Sequence, residues 1–140
     1  MTNARSFHLS LLPDQYVILK LAVDAGTPRW AANGEFFSIT RTSDELSIVI
    51  AFRNVPAQMQ GESKWRALKV HGPFALTEVG VLAALAAPLS EAAISIFVIS
   101  TYDTDYLLIN EQQCDAAISA LQNKGHTVTS LSTTPLKKQS

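Results

Sequence analysis

The chain has 140 residues with a formal net charge of −1, and 47% of its residues are hydrophobic while 16% are charged. This composition suits one compact unit, or two very small ones, and excludes an intrinsically disordered chain. Because 11 basic residues stand against 12 acidic ones, we expect no nucleic acid and no membrane surface as a main partner. The single cysteine, Cys114, excludes a disulfide framework. We expect a cytoplasmic protein, since the sequence opens on no signal-peptide pattern and its longest apolar run, residues 79–89, is too short to cross a bilayer.

Three runs of β-forming residues predict strands in the first half. They cover residues 16–22, 36–41 and 46–52, and the last two form a hairpin around a polar turn. Arg41 and Glu45 are candidates for an ion pair across this hairpin. The polar segment 54–63 contains a proline and a glycine. It is therefore the expected boundary between a first half, residues 1–63, and a domain over residues 64–132.

The second half alternates strands and helices. Predicted strands cover residues 65–70, 94–102, 105–109 and 126–131, and predicted helices cover residues 77–93 and 111–124. Thr77 is the expected N-cap of the first helix, and Pro88 is expected to kink or break it near residues 86–87. The order β-α-β-β-α-β predicts an α+β, ferredoxin-like fold, in which an antiparallel sheet carries two helices on one face. Residues 133–140 are expected to form a flexible tail.

A faint internal repeat relates the two halves. Residues 37–46 align without a gap on residues 97–106, sixty positions further along, and Glu45 stands opposite Asp105. One interpretation is a duplication whose first copy has lost most of its helices. The other is that two unrelated hairpins share β-forming residues.

Three segments carry a resemblance to a known family: ISTYDTDY at residues 99–106, FFSITRT at residues 36–42 and LAAPLSEAAISI at residues 85–96. Together they resemble the small tandem ACT-domain proteins related to the CASTOR arginine sensors. The resemblance implies a ferredoxin-like ACT fold, no catalysis, no cofactor, and a small amino acid held between two ACT modules. Because this chain has one complete module beside a reduced ACT-like first half, the resemblance also implies a homodimer whose second subunit supplies the facing module.

The same resemblance implies seven ligand-binding residues. They are Ala75, Glu78, Ser95, Ile96, Thr101, Tyr102 and Asp105. Glu78 stands where the sensors have an acidic contact, and Ala75 replaces a glycine of the loop before the first helix. Ser95 and Ile96 correspond to the contribution of the facing module. Arginine is the ligand that the family suggests.

Elementary chemistry agrees with such a site. The carboxylate of an amino acid binds N–H donors, and the start of a helix near residues 77–80 offers unpaired backbone N–H groups. An ammonium or a cationic side chain binds carboxylates such as Glu78 and Asp105, and Tyr102 can stack on a flat group. Structural roles stay open as well. Glu78 can complement the helix dipole, Asp103 and Asp105 can stabilise a turn, and Tyr102 can pack in the core or an interface.

Enzyme chemistry finds little support in the sequence. No nucleophile elbow, phosphate-binding glycine loop or HExxH motif occurs, and the three histidines lie far apart along the chain. His71 is expected to be a hydrogen-bonded structural residue. The other open function class is a ligand-free module that docks a partner protein, and a large exposed apolar patch away from Glu78 would favour it.

Overall fold

The computed structural model describes residues 5–61 and 63–131, so the predicted tail at residues 133–140 lies outside the described residues. The chain divides into two compact units. The N-terminal unit comprises residues 14–65, and the C-terminal unit combines residues 1–13 with residues 66–140. This grouping departs from the predicted division between residues 63 and 64, because the first thirteen residues join the C-terminal unit.

The strands and helices of the described residues follow the chain in this order: β1 (His8–Leu11), β2 (Tyr16–Leu21), β3 (Ser38–Arg41), β4 (Leu46–Ala51), β5 (Trp65–Val70), α1 (Val81–Glu91), β6 (Phe97–Ser100), β7 (Asp105–Asn110), α2 (Cys114–Asn123) and β8 (Thr127–Ser130). The strands predicted from β-forming residues are all present. The additional strand β1 is not predicted, because it is only four residues long and two of them, His8 and Ser10, are polar.

The N-terminal unit contains an antiparallel three-stranded arrangement in the order β3–β4–β2. Alternate residues of β4, Leu46, Ile48 and Ile50, are fully buried and form a small core with Val17. Between β2 and β3 the chain forms only one short 3-10 turn, Arg29–Ala31, as the glycine and proline content of this segment predicts.

The C-terminal unit contains a sheet in the order β6–β7–β5–β1–β8, and α1 and α2 follow β5 and β7 in the chain. The predicted α+β, ferredoxin-like fold is confirmed, with β1 as an extra strand. β1 is antiparallel to β5 and parallel to β8, so it separates the first and last strands of the β-α-β-β-α-β series. Buried side chains of both helices share one core cluster with those of the sheet, which places the helices on one face.

That shared cluster is larger than the core of the N-terminal unit. Leu85 and Leu89 of α1 and Leu121 of α2 are fully buried, and Leu9 of β1 is buried with them. Cys114 at the start of α2 also lies in this cluster, where burial raises the pKa of its thiol. No helix within residues 5–61 and 63–131 is long and apolar enough to cross a membrane.

Both helices begin later than their sequences suggest. α1 starts at Val81, and its N-cap is Gly80 with a left-handed φ of 87°, so the predicted cap at Thr77 is wrong. A left-handed backbone favours glycine, which explains why the helix starts after this residue. α1 continues through Pro88 to Glu91, so of the predicted kink or break the break does not occur. Before α2, residues Glu111–Gln113 form a 3-10 turn instead of helix.

Candidate functional site

A concave pocket lies in the C-terminal unit between the loop after β5 and the turn that joins β6 to β7. Its volume is about 220 Å³. Residues 74–76, Glu78, Val81 and residues 100–105 line it. Because Glu78, Asp103 and Asp105 bring three carboxylates to its wall, we call it the acidic pocket.

Five of the seven residues implied by the resemblance line the acidic pocket: Ala75, Glu78, Thr101, Tyr102 and Asp105. Ser95 and Ile96 do not, because they precede β6 and the turn follows it. Ser95 is exposed, and Ile96 packs against the core of the C-terminal unit. The resemblance assigns these two residues to the facing module of a second subunit, so a single chain does not bring all seven together.

The two walls of the acidic pocket are joined by short hydrogen bonds. The Phe74 N–H donates to the carbonyl of Asp103 at 2.8 Å, and the buried Thr104 hydroxyl donates to the carbonyl of Val70 at 2.6 Å. At Gly72 a Cβ would lie 3.0 Å from the Asp103 carbonyl oxygen, so a larger residue there would push the loop and the turn slightly apart. The close neighbours of Gly72 are thus the protein's own backbone atoms, at Asp103 and Phe74.

The start of α1 borders the pocket. Val81, the first helical residue, lines the pocket, and no side chain caps the helix there. The N–H groups of a first helical turn have no partner inside the helix and lie at the positive end of its dipole. This wall can therefore accept a carboxylate, as the sequence predicts, although the donors begin at residue 81 and not at residue 77.

Glu78 already has a cationic partner. Arg5 Nη2 donates to Glu78 Oε2 at 2.7 Å, and Arg5 Nη1 donates to the carbonyl of Val79 at 3.2 Å. The same guanidinium lies over the ring of Phe7, 4.8 Å from its centre. Glu78 lies three residues before α1 and thus outside its first helical turn. Its nearest charged partner is Arg5.

The two aspartates of the pocket, Asp103 and Asp105, differ from Glu78 in their partners. The Ser100 hydroxyl donates to Asp105 Oδ1 at 2.6 Å across the β6–β7 pair. Among residues 5–61 and 63–131, neither Asp103 nor Asp105 forms an ion pair. These two carboxylates are therefore the uncompensated negative charges of the pocket, and they are available to an ammonium group.

Thr101 and Tyr102 have opposite surroundings. The Thr101 hydroxyl donates to the carbonyl of Thr104 at 3.0 Å and accepts from its N–H at 3.2 Å, so it stabilises the turn. Tyr102 is 77% exposed, which makes the core-packing interpretation of this side chain wrong. Leu76, which lines the same pocket, is 69% exposed, and Val79, the neighbour of Glu78 in the chain, is 81% exposed. Together Tyr102, Leu76 and Val79 form an apolar rim next to the pocket.

A second cavity, of about 440 Å³, lies beyond the turn, and Asp103 and Thr104 line both cavities. Its wall also contains His71, whose Nε2 is hydrogen-bonded to the hydroxyl of Ser10, as expected for a structural histidine. Burial lowers the pKa of His71, and the neighbouring His8 and Lys69 lower it further. The His8 ring lies 3.9 Å from that of His71, centre to centre.

Sequence reasoning does not identify four residues that shape the pocket. Arg5 gives no local signal, because its partner lies 73 positions away in the chain. Phe74 and Ser100 lie in two segments that the resemblance covers, the loop before the first helix and the ISTYDTDY motif, but neither is among the seven implied ligand-binding residues. Asp103 is predicted as a turn residue, and its alternation with Asp105 is the signal that places both carboxylates near one another.

Among residues 5–61 and 63–131, no group of three or more His, Cys, Asp or Glu side chains could hold a metal ion. Comparisons with protein families give two matches. A sequence model of the ACT domain matches residues 60–123, and a second model, described as an N-terminal domain, matches residues 14–58.

Comparisons with curated proteins and solved structures agree with these matches. The chain is 31% identical over 98 residues to the human cytosolic arginine sensor for mTORC1 subunit 1, which covers 62% of this chain and 30% of the sensor. The match thus spans less than a third of that relative. It is also 29% identical over 90 residues to the human putative protein CASTOR3P, covering 54% of each.

Two crystal structures share the fold. A protein from Agrobacterium tumefaciens superposes with a TM-score of 0.85 at 37% identity, covering 93% of this chain and 97% of the other. A Vibrio cholerae protein described as a possible transport protein superposes with a TM-score of 0.68 at 22% identity, covering 85% and 90%. The second likeness concerns the fold alone.

Proposed function

We propose that this chain is a non-catalytic regulatory protein of the ACT-domain family, since residues 60–123 match the ACT-domain model and the chain is related in sequence to the cytosolic arginine sensor. It holds a small amino acid in the acidic pocket, at an interface between ACT modules of a homodimer. The relative's name describes a cytosolic arginine sensor. We carry over from it amino-acid binding and a cytoplasmic location, with no nucleic acid and no membrane as partner.

The observation that carries this proposal is the meeting of two complementary walls. The uncapped start of α1 offers N–H donors on one side, and Asp103 and Asp105 offer negative charge on the other. An amino acid has a carboxylate and an ammonium on the same carbon, so it needs donors and acceptors within a few ångströms. The cavity of about 220 Å³ is smaller than the roughly 300–1,000 Å³ of pockets for drug-sized ligands, which limits it to a small ligand such as an amino acid.

The apolar rim supports a site that a second module covers. Leu76, Val79 and Tyr102 are more than two-thirds exposed beside the pocket, and exposed apolar groups of this kind mark interaction surfaces. In the homodimer, the facing module contributes Ser95 and Ile96. Two-fold symmetry then gives two identical sites. Ligand binding joins the loop before α1 of one subunit to the other subunit, and the dimer tightens.

In this proposal the N-terminal unit is a reduced ACT-like half, and the C-terminal unit is a complete ACT domain. Its match to a separate N-terminal domain model at residues 14–58 supports a distinct module. Its hairpin, β3–β4, resembles β6–β7 in strand pairing.

A thermal-shift screen of the twenty amino acids, with the mass in solution measured alongside, tests the proposal. At about 100 times its dissociation constant, a ligand stabilises the folded protein by roughly 2.7 kcal/mol. We expect a shift with one or two amino acids, from a dimer. Asp105→Asn should weaken binding of that amino acid about tenfold or more, since it removes a charge-assisted hydrogen bond.

Asp44→Asn is the matched control, because Asp44 is an exposed aspartate in the turn of the other hairpin. Equal affinities of Asp105→Asn and the unsubstituted protein would contradict the site. The alternative function is a ligand-free protein-interaction module. An exposed apolar patch away from Glu78 would favour this alternative. The most exposed apolar residues instead lie near Glu78, so they give it little support. Absence of a shift with every amino acid would favour that alternative.

A further inference from the structure

Arg5 places a guanidinium group against Glu78, one of the residues that line the acidic pocket. Its three contacts are a carboxylate oxygen of Glu78, the carbonyl of Val79 and the ring face of Phe7. A carboxylate, a carbonyl and an aromatic ring are the groups with which proteins bind a guanidinium. The chain therefore satisfies Glu78 with a cation of its own.

This occupancy distinguishes Glu78 from the other two carboxylates of the pocket. In the part of the chain that the structure describes, Glu78 has an ion pair and Asp103 and Asp105 have none. An incoming cationic side chain would have to displace Arg5 from Glu78, and it would meet a like charge while doing so. An ammonium group bound by the aspartates needs no such displacement.

We infer that Arg5 is a specificity-determining residue, and that by occupying Glu78 it directs the acidic pocket toward amino acids whose side chains are uncharged. The inference rests on the proposed function, because it concerns the ligand class of the same site. It makes the pocket differ from an arginine site, where Glu78 would receive the guanidinium of the ligand.

The size of the effect follows from the exposure of the pair. The side chains of Arg5 and Glu78 are 47% and 33% exposed, and ion pairs in contact with water are weak and screened by salt. Removal of Arg5 should therefore shift the preference for a cationic over a neutral ligand by about two- to fivefold. The shift should shrink at high salt, whereas a loss of packing would not respond to salt in this way.

L-Arginine and L-citrulline are suitable probes, because citrulline replaces the guanidinium with an uncharged ureido group of nearly the same shape. We would titrate both into the full chain and its variants by calorimetry. We expect citrulline to bind the unsubstituted protein at least as tightly as arginine. In Arg5→Ala the ratio of the two affinities should move toward arginine about two- to fivefold, and Arg5→Lys should restore most of the original ratio.

Two further variants test the route of the effect. In Glu78→Gln, adding Arg5→Ala should change the ratio less than it does beside the native Glu78, since only through-space repulsion by Arg5 is then removed. Arg53→Ala is the matched control: Arg53 forms a similar exposed ion pair, with Asp14 at 3.0 Å in the N-terminal unit. It should leave the ratio unchanged.

The outcomes separate this inference from the proposed function. An unchanged ratio in Arg5→Ala, with both ligands still bound, overturns the role of Arg5 and leaves the amino-acid site standing. A shift of the same size in the Glu78→Gln background also overturns it. Arginine binding that appears only in Arg5→Ala supports it. If neither probe nor any of the twenty amino acids binds any variant, the proposed function and this inference fail together.

Discussion

The two hairpins of the chain have the same turn and different surroundings. In β3–β4, Arg41 pairs with Leu46, and the Thr42 N–H donates to the carbonyl of Glu45 at 2.9 Å. In β6–β7, Ser100 pairs with Asp105, and the Thr101 N–H donates to the carbonyl of Thr104 at 2.8 Å. In both turns the hydroxyl of the leading threonine accepts backbone N–H bonds.

The difference begins with the last residue before each turn. Arg41 donates to the carbonyls of Val23 at 2.8 Å and Ala25 at 2.6 Å, so its guanidinium bridges the hairpin and the loop after β2. The expected Arg41–Glu45 ion pair is therefore replaced by bonds to carbonyls. At the equivalent place in the C-terminal unit, Ser100 is short, and the space between hairpin and loop is the acidic pocket. The hairpin with Arg41 before its turn is thus bonded to a neighbouring loop, whereas the hairpin with Ser100 at that place borders a cavity.

The largest effect on the free energy of unfolding should come from a substitution in β1, a strand of the C-terminal unit. Leu9 of β1 is fully buried in the core of that unit. Leu9→Ala should lower the free energy of unfolding by about 2–5 kcal/mol, because it removes apolar contacts and leaves a cavity. Urea denaturation measures this, with Leu12→Ala as the control, since Leu12 is only half-buried. A Leu9→Ala loss no larger than that of the control would show that β1 contributes little to the core.

The next largest effect should be a difference in stability loss between substitutions of the threonines in the two turns. Thr104 is buried, and its hydroxyl holds the β6–β7 turn to Val70. Thr104→Val should lower the free energy of unfolding by about 1–3 kcal/mol, since it leaves a buried acceptor without its donor. Thr42→Val in the exposed turn of β3–β4 should lower it by about 1 kcal/mol or less. Equal losses in chemical denaturation would remove this difference between the turns.

Exchange of the residue before the turn tests the comparison directly. Ser100→Arg should weaken amino-acid binding about tenfold or more, because the introduced guanidinium pairs with Asp105 and occupies the pocket. Ser100 is exposed, so the fold should remain. Calorimetry measures the affinity and circular dichroism the fold. Thr40→Arg, at an exposed position of β3, is the control. Undiminished binding by a folded Ser100→Arg protein would mean that the ligand lies elsewhere.

A smaller effect should follow the titration of His71. Burial, followed by His8 and Lys69, lowers its pKa in the folded protein. The unfolded chain, with a histidine pKa of about 6.5, therefore takes up a proton first as the pH falls. The free energy of unfolding should decrease as the pH drops through 6.5 and reach its full loss below the folded pKa. Denaturation between pH 7.5 and 5.5 should show this slope, and His71→Asn should flatten it. An equal slope in both proteins would contradict the assignment.

The sequence predicts the elements that depend on local patterns. β-forming runs identify β2 to β8, and helical spacing identifies α1 and α2. β1 is not predicted because a four-residue strand with two polar residues has no local signature. Its partner strands also lie about sixty positions or more away in the chain. The later start of α1 depends on the left-handed backbone of Gly80, which a threonine–glutamate pattern does not reveal.

The internal repeat shows the limit of pattern matching at finer scale. The gapless alignment places Glu45 opposite Asp105, whereas the strand pairs place Leu46 there, one position away. A slip of one residue exchanges the two faces of a strand, so the alignment cannot tell which side chain borders the pocket. Five site residues meet because two separate loops approach each other, and Arg5 joins them only through tertiary contact.

The most direct test of the account is a heteronuclear NMR titration of the 140-residue chain with the amino acid that gives the largest thermal shift. If the acidic pocket is the site, backbone amide shifts should concentrate in residues 74–82 and 100–105, and the β3–β4 turn at residues 41–46 should remain unperturbed. Shifts centred on that turn, or saturable binding without shifts around Asp105, would contradict the account.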